Sequence, residues 1–335
     1  MKIIEKICDK CRRNVKIYFE AYKKGRIAGF DYTLLLWKNH TKFLLRLRNS
    51  KDSKAEMMRM NKFAEGFISV IKHYQTEPIY QSPLSYDSKD SNIWIYWNNP
   101  SNMPVMVKQC IERIRKNCNG HKVIVVTDDT FSDFLQLDDV VLRKYKEGKI
   151  SRTHFSDILR VSLLYYYGGV WMDSTLLLTQ PLPEIVTSSP FYTNHLNKWN
   201  ETNASGGRWS SFFIACHKGN LMMKAARDVF VEYWHRYDYL VDYVWIDYVF
   251  NLLYDNIPSI REMIDAVPEN NPDIWMLQMR IADAFSQEEF DAMLADDNRF
   301  LHKFSYKSSV DAPCYDEKGN MTLKGRLCAE YTEQQ

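Results

Sequence analysis

Along residues 1–75, apolar positions recur at near-helical spacing between charged ones: Ile3, Ile4 and Ile7, then Val15, Tyr18, Phe19 and Tyr22, then 34–37 and 43–47. This pattern predicts several helices with lysines and arginines between their apolar stripes. It breaks near Pro78 and Pro83, where polar neighbours make a linker. Beyond the linker the period changes. Short apolar runs at 93–97 and 122–127 read as strands, and residues 105–116 between them read as a helix. Strands and helices in alternation imply a layered α/β sheet.

The run SDILRVSLLYYYGGVWMDST, residues 156–175, carries the densest pattern. Ser151 or Thr153 can cap the N-terminus of its helix, Gly168 is placed to end it, and no Gly or Pro interrupts it. Ile158, Leu159, Val161, Leu163, Leu164 and Tyr165 to Tyr167 leave it apolar almost all round, which predicts burial. Asp157 and Arg160, three residues apart, project from one face of that helix. As an exposed ion pair they would contribute only about 0.2–0.5 kcal/mol. In a buried helix two charges cost far more than that unless they face a polar cleft or a ligand. After Gly168-Gly169, a short strand presents Asp173 at its C-terminal end, the edge at which open α/β sheets bind ligands.

Composition adds limits. A chain of 335 residues, 45% hydrophobic and 14% aromatic, can build one substantial core with a smaller appendage. No charge-free apolar run approaches the roughly 18–20 residues of a membrane span. Charges throughout residues 1–13 leave no signal-peptide h-region, so the expected location is the cytoplasm. Seven cysteines, an odd number, argue against a disulfide framework, and the lone Cys8-x-x-Cys11 has no second pair or nearby His to complete a metal site. The net charge of +2 hides an asymmetry. Residues 1–75 hold 18 Lys or Arg against 7 Asp or Glu, a balance of +11, and the remainder carries −9. Such a basic surface suits the anionic inner face of a cell membrane, where each nearby basic residue contributes about 1 kcal/mol. The alternative is a helical bundle whose charges only keep it soluble. No nucleic-acid-binding motif accompanies the charge, so a nucleic-acid partner is not expected. The chain therefore divides into a basic helical subdomain at 1–85, an α/β domain at 86–310 and a C-terminal tail at 311–335.

Ser156-Asp157-x-Leu159-Arg160 followed by Gly168-Gly169-x-x-x-Asp173 resembles the signature of glycosyltransferases with a DxD motif. These include the glycosyltransferase domains of large clostridial toxins and the yeast-type initiating mannosyltransferases. The form of the run from Asn92 to about Leu182 is most similar to the capsular polysaccharide synthesis proteins. It includes Ile93-Trp94-Ile95-Tyr96-Trp97, Met103-Pro104, Val123 to Thr127 with Asp128-Asp129, and Lys149-Ile150-Ser151. The resemblance implies a GT-A-type nucleotide-sugar-binding fold behind the N-terminal helices, and a retaining transfer of hexose from a UDP-sugar to a saccharide acceptor. The basic helices suggest that the acceptor is lipid-linked. A protein acceptor, or a catalytically silent glycan-binding scaffold, are the alternatives.

The resemblance also implies roles. Trp94 would stack on the base, with Tyr96 and Trp97 as alternates; otherwise it is an ordinary core residue. Asp157 and Arg160 would bind the sugar and ribose, and Asp173 the ribose and a divalent cation, Mn²⁺ or Mg²⁺. Thr175 stands where the second acid of D-x-D is expected, which weakens such a metal site because hard cations favour anionic oxygens. Capsular relatives commonly show Asp-x-Thr here. In residues 300–307, His302 matches a late metal ligand in spacing, while Ser305 and Lys307 match residues that meet the diphosphate. Of Asp242 and Asp247, five apart in a helix expected over 239–253, Asp242 is taken as the one nearer the donor sugar or acceptor. No nucleophile pair is apparent, which favours front-face transfer over a covalent double displacement.

Overall fold

The computed structural model describes residues 2–76, 91–196, 202–296 and 299–333. The chain opens with α1 (Lys2–Ala28), α2 (Phe30–Leu44) and α3 (Ser50–Ala64), then the short α4 (Ile68–Ile71). Asn49 and Asp52 cap α3 reciprocally. The inner faces of these helices are buried at Tyr32, Met60, Ala64 and Ile71 and, with Phe67 between α3 and α4, join the core of the rest of the protein. Phe63 and Phe67 both pack on Trp245, at 5.5 and 5.6 Å between ring centroids. The outer faces of α1 and α2 leave Phe19, Tyr22, Phe30, Leu34 and Phe43 exposed, and Leu47 after α2 is exposed as well. The linker expected around Pro78 and Pro83 lies outside the described residues.

The α/β body runs β1 (Ile93–Tyr96), α5 (Val105–Lys116), β2 (Val123–Val126), α6 (Asp139–Lys146), α7 (Arg152–Tyr167), β3 (Gly169–Met172), β4 (Leu176–Leu178), α8 (Glu184–Ser188), β5 (Phe191–Thr193) and β6 (Phe213–Cys216). It continues with α9 (Leu221–Arg236), α10 (Trp245–Asn256), α11 (Pro258–Asp265), α12 (Met276–Met279), α13 (Gln287–Leu294), β7 (Leu301–Lys303), α14 (Tyr306–Asp311) and α15 (Leu323–Glu333). Five strands form a mixed sheet in the order β2-β1-β3-β6-β5, with β1 parallel to β2 and β3 and with β6 antiparallel to its neighbours. The expected α/β class, the helical N-terminal segment, both early strands and α5 are all present.

Two features position the site. β3 lies at the centre of the sheet, so the residue that follows it, Asp173, emerges at the carboxyl edge beside the end of β1. The register is held by Gly169, whose φ of 93° and contact with the Asn92 carbonyl leave no room for a Cβ. The second feature is a small sheet in which β7 pairs antiparallel with β4, Lys303 opposite Leu176. A second apolar cluster, Met106, Cys110, Leu177, Phe304, Leu323 and Leu327, supports that sheet and carries α15 onto α5. One expected helix starts late. The segment 239–244 is not part of α10; Asp242 instead accepts a hydrogen bond from the Val244 backbone N–H, a local alternative to helix that Asp readily offers.

Candidate active site

The helix that supplies the first two charges is α7. Ser151 caps it, accepting from the His154 backbone N–H at 3.2 Å, and Gly168 ends it at φ 67°. Ten of its residues between His154 and Leu164 are buried, Asp157 and Arg160 among them, each only 4% exposed. They do not form an isolated pair. One guanidinium nitrogen of Arg160 donates to Asp157 Oδ1 at 2.6 Å and the other to Asp173 Oδ1 at 3.0 Å. The Trp171 indole N–H donates to the same Asp173 oxygen at 3.0 Å, and the Trp171 ring lies 4.9 Å from the guanidinium carbon. Asp173 Oδ2 accepts from Lys303 Nζ at 3.1 Å. The two carboxylates and two cations therefore balance, which is what allows four charges to sit in so enclosed a place. Burial pushes the Asp173 carboxyl up, but Lys303, Arg160 and the Trp171 N–H outweigh it and hold the pKa below the usual carboxylate value.

These groups form the floor and one wall of a cleft of about 470 Å³. The first turns of α7 contribute Arg152, Thr153 and Ser156; the end of β1 contributes Tyr96, Trp97 and Asn98. Tyr243, Trp275 and Tyr306 supply further aromatic surface, and Trp97 meets Tyr306 edge-on at 5.5 Å. Basic groups, an N-terminal helix turn and aromatic faces thus converge on one opening, a set suited to a phosphorylated ligand with a planar ring. A larger groove of about 610 Å³, beside Asp138, Arg227 and Glu232, is reached by none of Asp157, Arg160 or Asp173.

Arg160, Asp173, Thr175 and Ser305 line this cleft, and Asp157 is joined to it through its bond to Arg160. Three expected residues do not line it. Trp94 is 1% exposed, donates its indole N–H to the Gly168 carbonyl and packs on Phe134 and Tyr167; it lies two residues below the strand end that meets the cleft. Its alternates Tyr96 and Trp97 occupy that end. His302 is 2% exposed, does not line the cleft, and has no hydrogen-bond partner on either ring nitrogen among the described residues. Burial and nearby Arg299 push its pKa down to about 4, so the ring is neutral at pH 7. Asp242 is turned toward the N-terminal helices, 3.9 Å from Lys24. Asp247 instead lies within the electrostatic reach of the site: burial, with a further push from the Asp157 charge, raises it to about 6 against the opposing Trp209 N–H bond. The Lys307 side chain lies outside the described residues.

Sequence reasoning missed Lys303. β7 is only three residues long, and its alternation turns Lys303 inward where His302 was expected. The consequence for a divalent cation is direct. The two oxygens expected to hold it, on Asp173 and Thr175, are both bonded to the Lys303 ammonium, at 3.1 and 2.6 Å. The third expected ligand, His302, does not line the cleft, and no three His, Cys, Asp or Glu side chains cluster as a metal site among the described residues. A single carboxylate already paired with an ammonium does not fit a hard dication.

Comparison with known proteins agrees with the sequence signature. The profile of a family described as "Capsular polysaccharide synthesis protein" matches residues 42–317. Among curated proteins, "Glycosyltransferase afumC" of Aspergillus fumigatus is 26% identical over 162 residues, 44% of this chain and 41% of that protein. "O-glycosyltransferase braB" of Annulohypoxylon truncatum is 23% identical over 167 residues, 44% of this chain and 38% of that protein. The chain thus spans about two fifths of the length of the curated relatives it matches. Among solved structures, "PaToxG Glycosyltransferase" aligns with 65% of this chain and 83% of its own at 18% identity and a TM-score of 0.35, too loose for the two sites to be compared.

Proposed function

The chain belongs to the capsular polysaccharide synthesis protein family, and on that premise we propose that it is a GT-A-type glycosyltransferase moving a hexose from a UDP-sugar to a saccharide acceptor. The observation that carries this reading is the bridged unit Asp157–Arg160–Asp173 at the ligand edge of the sheet, opening on an aromatic-lined cleft. An exposed helix pair would not need a second carboxylate thirteen residues away.

In this reading the base lies against Tyr96 and Trp97, and the diphosphate lies between the first turn of α7 and the Arg160–Lys303 pair. Asp173, fixed through both oxygens, meets the ribose. The bond that breaks joins the anomeric carbon to the β-phosphate oxygen, and its electron pair leaves with the diphosphate. The bond that forms joins the acceptor hydroxyl oxygen to the same carbon, and the hydroxyl proton passes to the departing diphosphate. Arg160 and Lys303 stabilise the charge that grows on that leaving group; removing one such preorganised donor costs about 10²–10³ in rate. No step is assigned to a metal. Asp173 is the single carboxylate among the described cleft-lining residues, and its oxygens are engaged by three donors, which makes it a poor nucleophile. That supports front-face transfer with retention.

The acceptor is lipid-linked and the protein works at the anionic cytoplasmic face of the membrane. Support comes from the +11 balance of residues 1–75 together with the exposed Phe19, Phe30, Leu34 and Phe43 on the same helices. Among the described residues no helix is long and apolar enough to cross a membrane. The test is calorimetric titration with UDP, UMP and uridine, followed by NMR of the anomeric product from whichever UDP-sugar turns over. The reading predicts UDP binding tighter than UMP and a product with retained configuration. Equal binding of UDP and uridine, or an inverted product, would refute the diphosphate site or the retaining route respectively. Binding without turnover of any donor would leave the scaffold reading standing.

A further inference from the structure

We propose that Lys303 is the resident cation of the donor site, so that this protein handles its donor without a divalent metal. The inference rests on the nucleotide-sugar reading above and adds to it the identity of the positive charge.

Strand geometry comes first. The Lys303 backbone N–H donates to the Ile274 carbonyl at 2.8 Å, the next residue, Phe304, donates to the Thr175 carbonyl at 3.0 Å, and Leu176 lies opposite Lys303 in the β4–β7 pair. The lysine is thereby fixed from both sides along the backbone. Its side chain is enclosed as well: residue 303 is 9% exposed and the ammonium stands 5.3 Å from the Phe212 ring centroid. A surface lysine with a free stem would not be held this way.

Charge matching is the second argument. Asp173 and Thr175 offer one negative charge and one neutral oxygen, and the ammonium that bonds both carries one positive charge. A second acid at position 175 would suit a dication but would leave a lysine over-compensated. Threonine at 175 and lysine at 303 are thus two halves of one exchange, and the departure from D-x-D has a physical cause.

Donor capacity is the third. An ammonium has three N–H donors. Two are used by Asp173 and Thr175, and Lys303 lines the cleft, which leaves one to aim at a ligand oxygen. A diphosphate there meets a fixed point charge of the kind a metal would otherwise supply, with no ion to recruit.

The experiment is a Mn²⁺ titration of EDTA-dialysed full-length protein, followed by electron paramagnetic resonance, with Mn²⁺ alone. The wild type is expected to bind no Mn²⁺ in the absence of UDP, whose diphosphate chelates Mn²⁺ by itself, and any donor hydrolysis is expected to be the same in EDTA as in Mn²⁺. Lys303→Met, which keeps the stem and removes the charge, should lose about 10²–10³ in hydrolysis, in EDTA and in Mn²⁺ alike. One Mn²⁺ bound by the wild type without UDP would overturn the proposal, as would hydrolysis that disappears in EDTA and returns with Mn²⁺. The wild-type titration needs neither a folded variant nor a donor. If no nucleotide-sugar is turned over, the functional reading fails while the Mn²⁺ result still decides the role of Lys303.

Discussion

Replacing Arg160 with lysine keeps the charge and removes the fork. The guanidinium reaches Asp157 with one nitrogen and Asp173 with the other, at 2.6 and 3.0 Å, from a site that is 4% exposed. An ammonium at the same position can satisfy one carboxylate but not hold both in this geometry. A hydrogen bond between charged groups contributes about 1.5–3 kcal/mol, so Arg160→Lys should lower unfolding free energy by about 2 kcal/mol. Arg160→Met, which leaves two carboxylates against one cation, should cost about 3–5 kcal/mol. Urea unfolding followed by tryptophan fluorescence measures both, with the midpoint expected to fall in the order wild type, Lys, Met at constant slope. Donor hydrolysis should fall by about 10² in Arg160→Lys, because a misplacement near 1 Å is enough for that loss. Were Asp157 and Arg160 merely an exposed i,i+3 pair, the Lys variant would lie within about 0.5 kcal/mol of wild type. That result, with activity intact, would refute the bridged site.

Asp247 and His302 give opposite pH slopes. Asp247, raised to about 6, binds its proton more tightly folded than unfolded, so it removes stability as pH rises from about 4 to 6; His302, lowered to about 4, adds stability as pH rises from about 4 to 6.5. The two offset each other in the wild type, and Asp247→Asn should expose the histidine slope, its stability relative to wild type increasing from pH 4 to 7 by at most about 2–3 kcal/mol in denaturant titrations. An unchanged difference across that range would contradict the assigned shifts. Trp97→Ala should raise the donor KM about tenfold with little change in kcat, the mark of lost ground-state stacking of about 1–1.5 kcal/mol; a fall in kcat alone would place the base elsewhere. In vesicle sedimentation, binding to anionic lipid should weaken as salt rises and should be lost when Lys16, Lys23 and Lys24 are changed to Glu, whereas binding to neutral vesicles of equal strength would refute the electrostatic docking.

The helix of 152–167 and its glycine turn were legible because several signals agree there: a cap, an uninterrupted apolar run and a C-terminal Gly. Burial of the charges on that helix was also legible, from the cost of leaving them unpartnered. Strand orientation was not. All four residues of β1 are buried, as are all three of β7, so the alternation that would tell one face from the other is absent. Hence Trp94 and His302 could be named for the cleft while Trp97 and Lys303 took those places. Asp242 was misplaced for a different reason. Its apolar neighbours extend the helical pattern back to Tyr239, and only the hydrogen bond from Val244 to its side chain shows that α10 has not yet begun.

The central claim is that the cleft at Asp173 is a nucleotide-sugar donor site. Its most direct test is hydrolysis of a small panel of UDP-sugars by the wild type and by Asp173→Ala, each shown to be folded by circular dichroism and each assayed with and without Mn²⁺. The account predicts turnover of at least one donor by the wild type and its loss in Asp173→Ala with the fold intact. A folded wild type that turns over none of them, or an Asp173→Ala protein as active as the wild type, would contradict it.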